Sequence, residues 1–154
     1  MAKDAVELLR KKGYRAFHLT DGVAEWRARG CLSRSKANMK TLFILNDAPY
    51  GSERTYNGAR LAGALARQEG NEVRVFLIGD GVSAAHRQQK VPSGFYNLEV
   101  MLGSVVSHAG VIAVCGTCMD ARGIAVEDLM SGAHRSSLDE LTQWTAWADK
   151  ALVF

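Results

Sequence analysis

The sequence predicts a three-layer α/β/α sandwich on a mainly parallel sheet of about five strands. Three observations carry this reading. Short, mainly apolar runs at 41–46, 73–78 and 111–114 suit strands buried on both faces. Helical patterns separate these runs, as parallel crossovers require. Apolar residues make up 47% of the 154, enough for a sizeable core.

The elements follow in chain order. Residues 3–12 are helical in pattern and close at Gly13. A short strand is expected over 16–19. Asp21-Gly22 then turns the chain into a helix that holds Trp26 and ends at Gly30. The polar run 31–38 reads as a linker, and Met39-Lys40 opens the strand 41–46. A helix over 55–68 places Ala59, Leu61, Ala62, Leu65 and Ala66 on one side, and Gly70 ends it. The strand 73–78 breaks at Gly79-Asp80-Gly81. A helix is expected over 82–89, a loop at 92–94 and another helix over 97–108. The strand 111–114 follows, and 125–131 reads as helical. Ser136-Ser137-Leu138-Asp139-Glu140 has the pattern of a capping box opening a helix over 138–149. The segment 151–154 supplies a last strand.

Charge and cysteine usage exclude several function classes. The net +3 is uneven: residues 1–38 carry nine Lys/Arg and four Asp/Glu, residues 39–154 ten and twelve. No basic stripe interleaved with aromatics follows, so no nucleic-acid partner is expected. No apolar run nears the roughly 20 residues of a membrane span, and the charged start is unlike a secretory leader. Three cysteines, two of them close together, do not make a disulfide framework, and a reducing cytoplasm is the expected setting.

Open parallel sheets bind ligands beyond the C-terminal ends of their strands. Three segments reach that edge: the loop from Asn46, Asp47 and Tyr50 to Arg54; Gly79, Asp80 and Gly81; and Cys115-Gly116-Thr117-Cys118. A helix starting just past Cys115 would turn free N–H groups toward its sulfur and favour a thiolate. Four readings of the cysteine pair stand. Cys115 can carry sulfane sulfur as a persulfide, with nearby N–H groups and Arg122 lowering its pKa. Cys118 can resolve Cys115 as a disulfide. Zinc would need two further ligands, and His108 and His134 are not at ligand spacing. Both cysteines can also be small packing residues. Asn46 and Asp47 suit either orienting a substrate or capping the next helix. Tyr50 suits a pocket wall or a subunit contact, and Arg54 an anionic donor or plain solvation. Arg122 suits the cysteine site or a structural salt bridge. Asp80 suits a tight loop. His108 and His134 read as surface or capping residues; Met130, Trp144 and Trp147 read as core or oligomer packing.

Two resemblances add to this. Ala5, Leu8, Leu9, Gly13, Tyr14, His18-Leu19, Gly22, Glu25-Trp26 and Gly30 resemble the C-terminal tail of a rhodanese domain. The rhodanese cysteine loop is not among them, so no rhodanese site residue is carried over. Residues 1–30 are therefore expected to be a remnant, 31–38 a linker and 39–154 a domain of its own. That domain resembles the DsrE/DsrF-like family, which takes in YchN-like and TusD-like proteins. The match runs through residues 39–46, Tyr56-Asn57, Gly79-Asp80-Gly81-Val82 and Gly94-Phe95-Tyr96-Asn97. It continues through Cys115-Gly116-Thr117-Cys118-Met119-Asp120-Ala121-Arg122-Gly123 to Leu141-Thr142-Gln143-Trp144 and Val153-Phe154. The resemblance implies a parallel five-stranded sandwich assembling as trimers or hexamers. Its sulfur-relay members place a persulfide-forming cysteine seven residues before an Arg-Gly pair, which here is Cys115 before Arg122-Gly123. Cys118 is then accessory.

The function expected is a sulfurtransferase-type persulfide carrier on Cys115, receiving from a sulfur donor and passing to an acceptor protein, with no cofactor or metal. The alternatives are an oligomeric binding protein with structural cysteines, or a dithiol redox protein using Cys115 and Cys118. Removing residues 1–38 is expected to leave a domain that still melts in one cooperative transition by circular dichroism; a broad, non-cooperative melt would contradict the boundary.

Overall fold

The computed structural model describes residues 38–154, together with Lys11. The elements expected over 3–30, the rhodanese-like segment and the linker up to residue 37 lie outside the described residues. The fold is that of the compact unit Ala37–Phe154.

Five strands form one parallel sheet. In chain order the elements are β1 (Met39–Leu45), α1 (Arg54–Ala66), β2 (Asn71–Leu77), a 3-10 helix (Gly79–Ala85), α2 (Leu98–Ser107), β3 (Val111–Cys115), α3 (Gly116–Asp120), a short 3-10 turn (Val126–Asp128), β4 (Ala133–Ser136), α4 (Leu138–Trp147) and β5 (Lys150–Val153). The sheet order is β4-β3-β2-β1-β5, every neighbouring pair parallel. β1, β2 and β3 lie inside the sheet. Leu42, Phe43, Val75, Phe76, Ile112 and Val114 are fully buried there, which is why these strands read as mainly apolar runs.

Helices cover both faces. Leu45 lies against Gly58 of α1, and α2 packs beside α1. On the other face Trp144 of α4 meets Phe76 edge-on at 6.1 Å. The Arg74 guanidinium lies 3.9 Å from the Trp147 ring centroid and 5.1 Å from that of Trp144, a cation stacked on aromatic faces. Asn97 caps α2 by accepting the Val100 N–H.

Four local expectations are corrected. The helix expected over 82–89 is a 3-10 helix that begins earlier, at Gly79, and stops at Ala85. Its cause is a lock onto β1: the Gly81 N–H donates to Asn46 O, and the chain then extends so that His86 bridges Leu129. That bridge also limits the helix expected over 125–131 to the turn Val126–Asp128. The capping box does not form. Ser137 is the N-cap of α4 but makes no side-chain cap bond, and the Ser136 hydroxyl donates to Glu140 instead. The fifth strand is β4, at residues the pattern did not mark; it pairs with β3 alone.

The tightest approach in the fold is at Gly81, where a Cβ would stand 2.2 Å from the Leu45 carbonyl oxygen. Gly81→Ala is expected to cost roughly 1–3 kcal/mol in chemical denaturation through overpacking against backbone. Gly103→Ala, in α2 with only Met130 Cε at 3.9 Å, is expected to gain about 0.5–1 kcal/mol from helix propensity. Equal stability of the two variants would contradict the lock.

Candidate functional site

β3 is buried until its last residue, and the chain enters α3 at the next one. Cys115 therefore stands at the strand end, 8% exposed, at the edge of a cavity of about 560 Å³. Phe76, Ile78, Leu138 and Leu141 give the cavity apolar walls, and Thr117, Arg135 and Ser136 give it polar ones. The Thr117 hydroxyl lies 3.3 Å from Cys115 Sγ and can donate to the ionised sulfur. Burial pushes the Cys115 thiol up. The Thr117 hydroxyl, the Cys118 backbone and thiol, and the Thr117 backbone together outweigh it, so the thiol ionises below the usual cysteine range.

Cys118 sits one turn on, half-buried, with its Sγ accepting the Gly79 N–H at 3.3 Å. Gly79 has φ +58°, the left-handed backbone that turns this N–H toward the sulfur. The expected grouping of Gly79 with the cysteine pair is thus a direct contact. Gly81 acts at one remove, through its lock on β1.

Arg122 does not turn to Cys115. Its Nε and one terminal nitrogen donate to Asp80 Oδ1 at 3.1 and 2.6 Å, and the other donates to the Cys118 carbonyl at 3.0 Å. It ties the Gly79–Ala85 turn to the end of α3, with Asp80 as its partner.

Arg135 on β4, which carried no signal in the sequence, takes the place beside the sulfur. A Cβ at Gly116 would meet its Nε, Cζ and one terminal nitrogen at 2.8–2.9 Å, so the guanidinium lies directly on the strand-to-helix turn. Asp120 holds it with two bonds of 2.8 and 2.7 Å. That contact keeps the Asp120 carboxyl below the usual carboxylate range.

Asn46 and Asp47 fall elsewhere. They border a separate cavity of about 350 Å³ with Arg54, Val153 and Phe154, where the Asn46 N–H donates to Phe154 O. Asp47 accepts from Ser52 and pairs with Arg54 at 3.7 Å, and its carbonyl accepts the Thr55 hydroxyl in the first turn of α1. Tyr50 donates to Gln89, accepts the Leu98 N–H and stacks on Tyr96 at 5.6 Å. β2 lies between β1 and β3, so the end of β1, where Asn46 follows, stands two strand spacings, about 10 Å, from the Cys115 strand.

The wall formed by α4 is pinned by one carboxylate. Glu140 accepts from Ser136 and pairs with His134 at 2.9 Å. Burial pushes the Glu140 carboxyl up, but Ser136, His134 and Arg74 outweigh it and hold it below the ordinary range. His108 caps α2, with Nδ1 2.8 Å from Ser104 O. Among the described residues no group of three or more His, Cys, Asp or Glu is placed to hold a metal ion, and no helix is long and apolar enough to cross a membrane.

A cysteine pair at the end of the third strand of a 4-3-2-1-5 parallel sheet can be compared with known proteins. The DsrE/DsrF-like family model matches residues 39–154. The chain belongs to the DsrE/DsrF-like family. Protein YchN of Escherichia coli strain K12 is 44% identical over 116 residues, covering 75% of this chain and 98% of its own. The crystal structure of ychN protein from E. coli superposes with a TM-score of 0.71 at 43% identity, covering 75% of this chain and 99% of that one. The uncharacterized protein MJ0989 of Methanocaldococcus jannaschii is 37% identical over 116 residues, covering 75% and 100%. The parallel five-stranded α/β fold expected of the family is the fold found. The family relates the chain to sulfur-relay proteins at that level.

Because the Glu140 carboxyl is depressed in the folded state, its stabilisation is complete above the unfolded value, about pH 4.3, and is lost as pH falls through the lower folded value. Glu140→Gln is therefore expected to be less stable than the parent at pH 7 and to lose less stability between about pH 5 and 3. Parallel stability curves for the two chains in denaturant titrations would contradict this.

Proposed function

We propose that the domain carries sulfane sulfur as a persulfide on Cys115, in the manner of a sulfurtransferase-type relay. The observation that supports this best is a thiol held toward its anionic form at the edge of an open cavity. A thiolate is the competent nucleophile, and hydroxyl and N–H donors at its sulfur also suit a persulfide anion, which carries the same charge one atom further out.

The transfer balances without an added oxidant. The Cys115 thiolate attacks the terminal sulfur of a donor, the new S–S bond forms, and the bond from that sulfur to its leaving group breaks. The bonding pair departs with the leaving group, and the persulfide retains a negative charge. An acceptor thiolate on another molecule then takes the outer sulfur and returns Cys115 as thiolate. Cys118, with its sulfur on the Gly79 N–H, is accessory in this cycle.

A second reading is favoured by one observation: Cys118 borders the same cavity as Cys115 and, like it, is a free thiol. The pair then acts as a dithiol, and a disulfide between them is the product to look for.

Intact-mass analysis after incubation with thiosulfate or a small organic persulfide separates these. A gain of about 32 Da, removed by dithiothreitol and so unlike a sulfinic acid, is expected in the full chain. It should persist in Cys118→Ser and vanish in Cys115→Ser. A loss of about 2 Da in place of a gain would favour the dithiol. Two unreactive thiols with every donor would overturn both readings.

A further inference from the structure

Among the described residues, Arg135 is the cation that the fold lays against the Cys115 turn, and nothing in the transfer described above uses it. Three features set its place. Gly116 has no side chain, and the guanidinium fills the space that a Cβ would occupy. Asp120 fixes the guanidinium plane through both terminal nitrogens. The same guanidinium borders the cavity whose other walls include Phe76, Ile78 and Leu138.

We propose that this cavity is a binding site for a small anionic sulfur compound, with Arg135 as the residue that reads its negative charge and the apolar walls receiving whatever body it carries. The inference rests on the persulfide reading of Cys115 and names the class of donor: a sulfane sulfur on a leaving group that departs as an anion. When the S–S bond forms at Cys115, the leaving group takes the bonding pair beside Arg135, where a fixed guanidinium stabilises it. Asp120 takes the end-on pair of donors, which leaves the Nε–H and the outward terminal N–H as the donors open to an oxyanion, together with a charge that an ammonium would not hold in a fixed plane.

Charged and titratable groups reach the cavity from several elements: besides those nearest the sulfur, Glu140 of α4 stands behind the lining residue Ser136 and is paired with His134 of β4. Cys118 and Asp120 come from α3 and Arg135 from β4, and the Arg122–Asp80 pair stands beyond Cys118. The Cys115 thiolate is among the charges that keep Arg135 protonated, whereas the Asp120 carboxyl is set by Arg135 and by its own loss of solvent.

The charge of the cavity is read by comparing two alkylating agents of nearly equal size, anionic iodoacetate and neutral iodoacetamide, on Cys115 of the full chain, with the label located by peptide mass mapping. Their rate ratio cancels the thiolate fraction and leaves the pull of the cavity on an anion. Arg135→Gln is expected to lower the iodoacetate-to-iodoacetamide ratio about fivefold or more, and Arg135→Lys to recover part of it. Asp120→Asn, which keeps Arg135 and frees it, is expected to raise the ratio. An unchanged ratio in a folded Arg135→Gln chain would overturn the proposal. Should that variant fail to fold, a ratio in Asp120→Asn that stays level or falls would overturn it equally. Normal persulfide loading with an unchanged ratio would remove the anion site alone. A shifted ratio in a chain that never loads sulfur would remove the carrier reading and leave the anion site.

Discussion

Everything at the site depends on how the chain turns from β3 into α3. Cys115 and Gly116 make that turn with no intervening loop, beneath the guanidinium of Arg135. Any side chain at residue 116 would displace the arginine, and with it the Asp120 contact that anchors β4 to α3. The buried strand fixes the height of the sulfur, and the glycine fixes what lies beside it. Thr117 and the first N–H groups of α3 then face the sulfur because the helix starts there. Position and chemistry are consequences of the same turn.

A second clasp secures the other side. Gly79, Asp80 and Gly81 fold back as a 3-10 turn, and each has a different contact. Gly79 gives its N–H to Cys118, Asp80 takes Arg122, and Gly81 closes on the Leu45 and Asn46 backbone of β1. The ends of β1 and β2 are thereby tied to the middle of α3 and to the turn that follows it. This explains how a five-residue helix, too short to be stable alone, is held in place beside Cys115. The Glu140 network does the same for the α4 wall, joining Ser136 and His134 at one carboxylate.

Much of this was legible in the residues, and the parts that were not have identifiable causes. β1, β2 and β3 announced themselves because burial on both faces leaves few polar positions to disguise the run, Arg74 among them. Cys115 was legible because it ends such a run next to a glycine. β4 was not: Ala133-His134-Arg135-Ser136 is an edge strand of four residues, half-exposed and polar, and only its pairing with β3 makes it a strand. Arg135 was hidden with it, since its role arises from packing across the sheet and from no local spacing. Arg122 drew attention by its fixed distance from Cys115 in sequence, yet α3 turns it toward Asp80. Asn46 and Asp47 share the sheet edge with Cys115, but edge membership alone ignores strand order, which puts β2 between them. The turn at Gly79–Ala85 was read as a later helix because its backbone is set by contact with β1.

This turn favours the ionised form of Cys115, through the Thr117 hydroxyl and the backbone donors of α3, against the opposing effect of burial. The most direct test is the ultraviolet thiolate absorbance of the full chain as a function of pH, with that of the Cys115→Ser chain subtracted. The account predicts a midpoint for Cys115 below the free-cysteine value of about 8.5. A midpoint at or above that value would mean that burial outweighs the Thr117 and backbone donors, and would contradict the account.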